Sequence, residues 1–160
     1  MTHSFQSQRD FQSALFVVNQ SSGLGRGAAE IERLHQEFDR AFAFIPPRVV
    51  EIAATHEQAR QFTRNFLTTH AAPYFLLAGG GAGTSRAMLQ GVMELVAEKK
   101  IQLRDVYFSA LRLGSGNVVP KMLGIPADPL AALCGIAQGL RNVQWRATSK
   151  WSGRSRLIKR

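Results

Sequence analysis

Three short segments hold most of the residues in this 160-residue chain that could do chemistry. They are NQSSGLGRG (19–27), AGGGAGT (78–84) and LGSGN (113–117), all rich in Gly, Ser, Thr or Asn. Glycine lets the backbone approach an anion closely, and N–H groups at a helix start carry a partial positive charge. Turn chemistry alone explains any one such loop. Three of them on one edge of a domain point to a phosphate-bearing ligand. A P-loop is excluded, because no Lys follows these glycines at the G-x-x-x-x-G-K-[ST] spacing. Gly23-x-Gly25-x-x-Ala28 does follow the dinucleotide pattern, with Glu51 at or near the end of the next strand. Asn19 to Ser22 intervene, however, where that fingerprint wants an immediate turn.

The elements that must position these loops alternate. ALFVVN (14–19), RVVEIA (48–53), YFLLA (74–78) and VYFSALRL (106–113) read as strands, the continuous apolar runs being those of a sheet covered on both faces. Between them, Ile31, Leu34, Phe38, Ala41 and Phe42 recur at helical spacing until Pro46 and Pro47 stop the pattern. Thr55 and Gln58 form a capping box that opens a helix to about His70, with Ala59, Phe62, Phe66 and Leu67 inward. A third helix is expected from about Ser85 to Lys99, burying Met88, Leu89, Val92, Leu95 and Val96, with Lys99 and Lys100 at its cation-favouring end. Asp128 and Pro129 open a fourth around Leu130, Leu133 and Ile136, with Cys134 as a core residue and Gly139 as its stop. NVQWRA then offers a last short strand. The order predicts a three-layer, Rossmann-like α/β domain with a mainly parallel sheet, whose ligands bind at the carboxyl ends of the strands.

Composition narrows the function classes. The formal charge is +9, but residues 1–140 carry 13 basic and 11 acidic side chains, so they are nearly neutral. Arg141, Arg146, Lys150, Arg154, Arg156, Lys159 and Arg160 follow with no acid. The excess marks a terminal tail, which argues against nucleic acid as the partner. Trp145 and Trp151 lie in that tail, as a strand residue or as stacking or interfacial groups. A lone Cys134 excludes a disulfide framework, and the four His residues (His3, His35, His56 and His70) lack metal-ligand spacing. No apolar run is long enough to span a membrane, and the polar first dozen residues do not read as a signal peptide. These features predict a cytoplasmic location, with peripheral membrane association left open by the tail.

The three motifs together resemble the diacylglycerol kinase catalytic domain, within the wider group of lipid kinases and NAD kinases. Asn19, Ser22, Gly23 and Gly25 match N-P-x-S-G-x-G. Gly80-Gly81-Ala82-Gly83-Thr84 matches G-G-D-G-T, and Gly114-Ser115-Gly116-Asn117 with Leu123-Gly124-Ile125-Pro126 matches P-x-G-T-x-N-D and L-G-I-P. Order and spacing agree over about residues 14–147. The resemblance implies a domain that binds ATP with Mg²⁺ through Asn19, Ser22, Gly23, Gly25, Gly80, Gly81, Gly83, Thr84, Gly114, Ser115 and Asn117, and a lipid hydroxyl as phosphate acceptor. In the family a C-terminal β-rich domain closes the cleft. The sequence-based expectation is a chain lacking it: an N-terminal extension (1–13), the nucleotide-binding domain (14–140), and a basic tail (141–160) where the second domain would begin.

The departures from the family pattern are acidic. Ala82 stands at the aspartate of G-G-D-G-T, Ala87 at the acid three residues after the Thr, and Val118 at the aspartate after Asn117; Gln20 replaces a proline. Phosphoryl transfer relies on positioning and charge neutralisation, so their loss predicts weak or absent transfer with phosphate binding retained. Two alternatives stand beside this reading: a non-catalytic nucleotide-binding module that docks its basic end on an anionic membrane or a partner, and an NAD-binding domain using Gly23, Gly25 and Glu51. Arg26 and Arg112 adjoin the loops and could reach phosphate, and Thr84, at the expected helix start, could cap the helix and bind a phosphate oxygen.

Overall fold

The computed structural model describes residues 11–23 and 27–142. Four strands, β1 (Ser13–Asn19), β2 (Arg48–Ala53), β3 (Tyr74–Gly79) and β4 (Val106–Ala110), form one all-parallel sheet in the order β2-β1-β3-β4. The central β1 and β3 are buried at every position, as their unbroken apolar sequences require, whereas the edge strands are half-covered.

Alternate residues of β1 feed two cores. Ala14, Phe16 and Val18 face α1 (Ala28–Ala41) and α5 (Pro129–Asn142), where Phe38 stacks on Phe42 and Phe42 on Phe75 at 4.8 and 5.3 Å between ring centroids. Leu15 and Val17 face α2 (His56–Thr69) and α3 (Ala82–Ala97), among Ala59, Phe66, Met88 and Val92. The three-layer architecture is therefore as the alternation predicted. Thr55 caps α2 as expected: its Oγ1 accepts from the Gln58 N–H at 3.1 Å, while Gln58 Oε1 accepts from the Ala54 N–H at 2.7 Å. On the outer surface Arg60 and Arg64 of α2 bridge to Glu94 at 2.6 and 3.0 Å, and Arg64 also to Glu98 at 2.9 Å.

Several boundaries differ from the sequence reading, each for a local reason. Helix α3 begins three residues early, because Gly81 takes an extended N-cap conformation and its carbonyl accepts from Ser85 N–H at 3.2 Å. It ends in a Schellman turn: Lys99 lies at φ 57°, and the Lys99 and Lys100 N–H groups donate to Val96 and Leu95. Its buried stripe runs Thr84, Ala87, Met88, Gly91, Val92, Leu95, which turns Leu89 outward to 40% exposure rather than into the core. Strand β4 stops at Ala110, opposite Ala78, with one last bond beyond it from the Leu111 N–H to the Ala78 carbonyl at 2.8 Å. A short helix, α4 (Val118–Met122), follows the third glycine loop. Helix α5 passes through Gly139 to Asn142, with Leu140 packed on the core and the Arg141 guanidinium over Phe44 at 4.7 Å. Arg141 thus belongs to the domain rather than to a tail. Cys134 is not a core residue: it is exposed and its thiol donates to Glu37 Oε1 at 2.8 Å, because Ala132, Leu133 and Ala137 take the inward face. The strand expected from NVQWRA lies outside the described residues apart from Asn142, which ends α5.

Candidate functional site

Because every strand runs in the same direction, every β–α connection leaves from the same edge. That edge gathers the three glycine loops around a hollow of about 700 Å³ lined by Asn19, Ser21, Ser22 and Gly23, by Gly81, Ala82 and Gly83, and by Gly114, Ser115 and Gly116.

Short polar side chains tie the loops together. Asn19 ends β1 with its side chain buried; its Nδ2 donates to Thr84 Oγ1 at 3.1 Å and its Oδ1 accepts from the Ser21 N–H at 2.9 Å. Ser22 Oγ accepts from the Gly81 N–H at 3.3 Å, locking the first loop to the start of α3. Gly23 sits at φ 67°, which an L side chain rarely adopts. The third loop folds on itself: Asn117, at φ 52°, accepts from the Gly114 N–H at 2.9 Å and returns its own amide to the Gly114 carbonyl. Gly81 and Gly114 then meet backbone to backbone, so a methyl on Gly114 would run into Gly81 Cα and lie 3.1 Å from Gly81 N.

Of the sequence-derived residues, Asn19, Ser22, Gly23, Gly81, Gly83, Gly114 and Ser115 line the hollow, while Thr84 and Asn117 hold its loops from behind. Thr84 is fully buried as the third residue of α3, so Gly81 is the cap and Thr84 braces Asn19. Gly80 packs against the Thr84 side chain and Ser22 and, like Asn117, lines a neighbouring hollow instead of this one. Gly25 and Arg26 lie outside the described residues. Arg112 donates to the Ile125 carbonyl at 3.4 Å and so holds the L-G-I-P segment. Sequence reasoning missed the fourth wall, Ala54, Thr55 and His56, which follows β2; the His56 ring lies where a side chain on Gly83 would fall. Its signal was topological, since a parallel β2 must deliver its following loop to the same edge. Glu51 lies opposite Val17, two residues before β2 ends, and is not part of that wall.

Across Gly81 and Ala82 a second hollow opens, about 620 Å³, between α3 and α4. Leu89, Met93, Val118, Val119 and Pro120 line it, with Arg86 and Ser85 near the shared wall. Met122 and Leu123, 81% and 62% exposed, continue the apolar surface beyond it.

The chemistry offered is anion binding. By helix geometry the N–H groups of Ala82, Gly83 and Thr84 have no carbonyl one turn back, so the positive end of a four-turn helix lies at the hollow's floor. Among the described residues no Asp or Glu lines either hollow. Glu57, next to His56, is engaged by Arg60 and Gln61, and these contacts hold its carboxyl down to about 2. Among the described residues no three His, Cys, Asp or Glu side chains group into a metal site, so the donor set does not fit a resident divalent cation.

Parallel sheet, covered faces and glycine loops at the carboxyl edge define an α/β domain of the Rossmann-like kind. The family model of the diacylglycerol kinase catalytic domain matches residues 13–144, and the chain belongs to that family. Its fold is similar to that of a diacylglycerol kinase from Bacillus anthracis str. Sterne, at 17% identity and TM-score 0.61, covering 81% of this chain and 44% of that one. Two further structures from that organism, for which the same activity is proposed, match at 16% and 17% identity with TM-scores of 0.62 and 0.64. They are covered over 44% and 42% of their length, and this chain over 83% and 81% of its own. The chain thus spans less than half the length of these solved structures. No curated protein matches it.

Proposed function

We propose that this chain is the ATP-binding domain of a lipid-kinase-like phosphotransferase, able to hold a nucleotide but a weak catalyst or none by itself. The carrying observation is the convergence of the three glycine loops on one hollow whose walls are backbone N–H groups and short hydroxyl and amide side chains. Asn19, Ser22 and Asn117 shape the cradle, Gly81 and Gly114 let its loops approach closely, and Gly23, Gly83 and Ser115 present their backbone to the phosphates. A lipid hydroxyl, as of a diacylglycerol, is the family's acceptor, and the apolar groove across Ala82 suits its hydrocarbon part. That groove also favours contact with a membrane surface; no described helix is long and apolar enough to cross one. Transfer is weak because Ala82 supplies no carboxylate where the family has one.

Calorimetric titration of the full chain with ATP and ADP tests the binding. Saturable binding at or below millimolar nucleotide is expected, and none at that concentration rejects the reading; NAD, titrated in parallel, is expected to bind more weakly. Incubation with labelled ATP and diacylglycerol is expected to leave the lipid unlabelled, and robust labelling would reverse the assignment of a silent site.

A further inference from the structure

We propose that the glycine-lined hollow takes its phosphate-bearing ligand without a divalent cation, so that magnesium competes with the site instead of completing it. This rests on the nucleotide reading above and concerns how that nucleotide is held. A divalent cation on a polyphosphate keeps its place through hard oxygen donors, usually including a protein carboxylate. Among the described residues the hollow provides none, and the neighbouring groove provides none either. Ala82 lies on the wall common to both, exposed, with a methyl group where a carboxylate would be the obvious cation ligand. Glu57, which follows His56 of the hollow's fourth wall, already has both oxygens engaged: Arg60 Nε reaches one at 2.9 Å, and Gln61 Nε2 reaches the other at 2.9 Å. Outside the described residues the sequence contains a single acid, Asp10, while residues 24–26 contain Arg26 and no acid.

What surrounds the hollow favours negative charge instead. The N-terminus of the 16-residue α3 faces it, the His56 ring lies against Gly83, and Arg86 lines the groove on the far side of the Ala82 wall. An uncomplexed triphosphate brings its full negative charge to these groups. Its magnesium complex brings two charges fewer, plus a hydrated cation that finds no carboxylate. The balance therefore favours the bare nucleotide.

The experiment is a calorimetric titration of the full chain with ADP and ATP, in EDTA and again with magnesium in excess. Affinity in EDTA is expected to equal or exceed that in magnesium, by up to about tenfold. An affinity at least about threefold weaker in EDTA overturns the inference while leaving nucleotide binding intact. Absence of binding in both conditions is a different result and removes the underlying reading together with the inference. Ala82→Asp sharpens the test. An Asp in the first turn of α3 suits the helix dipole, so the variant keeps its fold. It is expected to bind nucleotide about tenfold more weakly in EDTA and to regain affinity with magnesium. Unchanged EDTA affinity in that variant also overturns the inference, since Ala82 would then lie away from the bound phosphates.

Discussion

The hollow on one side of Gly81 and Ala82 is walled by loop backbone and short polar side chains, while the groove on the other side is walled by the apolar side chains of two helices. The two are of similar volume and share two residues, yet they tolerate change very differently. In the polar hollow the functional atoms are main-chain atoms, so geometry depends on how closely three loops approach and on the residues that allow it. In the apolar groove the surface comes from Leu89, Met93, Val118 and Val119, each exposed by 40% or more and replaceable without disturbing its neighbours' packing. Backbone-built sites are fragile to an added methyl group; side-chain-built surfaces are not.

Gly114→Ala is the largest expected break in that contrast. Its new Cβ would meet the Gly81 backbone, which cannot swing aside as a flexible side chain would. Separating the second and third loops should cost about 1–3 kcal/mol of stability and lower nucleotide affinity at least tenfold. Gly135→Ala is the matched control: it lies in α5 with nothing within 4 Å, so it should stabilise by about 0.5–1 kcal/mol and leave binding alone. Thermal melts and calorimetry on both variants decide the point.

Acid pH probes the frame behind the polar hollow. Helix α2, which carries His56, is tied to α3, which carries the Gly81 cap, by Arg60 and Arg64 on Glu94 and Glu98. Hydrogen bonding to Arg60 and then to Gln61 holds Glu57 at about 2, below its ordinary 4.5, and Glu98 is lowered by Lys100 and Arg64. Carboxyls whose folded values are depressed contribute stability that is fully present above about 4.5 and is lost as pH falls toward 2. The effect is modest because Glu57 is exposed. Urea midpoints followed from pH 6 to pH 2.5 should fall across that window, and Arg60→Gln should flatten the fall.

The sheet was legible in the sequence because β1 and β3 are continuous apolar runs that only a doubly covered strand tolerates, and α1 repeats its buried residues at every third or fourth position. The loops were legible as glycine clusters at the ends of those runs. What periodicity could not reveal is how far each pattern extends. Gly81 to Thr84 read as a loop by composition, yet an extended Gly81 starts α3 there and turns Thr84 from a ligand into a brace for Asn19. Cys134 looked like core among Leu130, Leu133 and Ile136, but one position along a helix is a rotation of about 100°, enough to place it at the surface beside Glu37. His56 carried no motif of its own. Only the parallel sheet order brings the end of β2 beside the other three connections.

The smallest expected effect tests whether the two hollows are separate. Met93 is 52% exposed and lines the apolar groove but not the polar hollow. Met93→Ser removes apolar surface that is already in contact with water, so stability should change by no more than about 0.5 kcal/mol. Nucleotide affinity should stay within about twofold, because no nucleotide-facing backbone atom depends on that side chain. A clear fall in affinity with an unchanged melt would mean that the ligand crosses the Ala82 wall. Gly81 and Ala82 would then be the middle of one continuous site, and the contrast between backbone and side-chain walls would describe two ends of a single bound molecule.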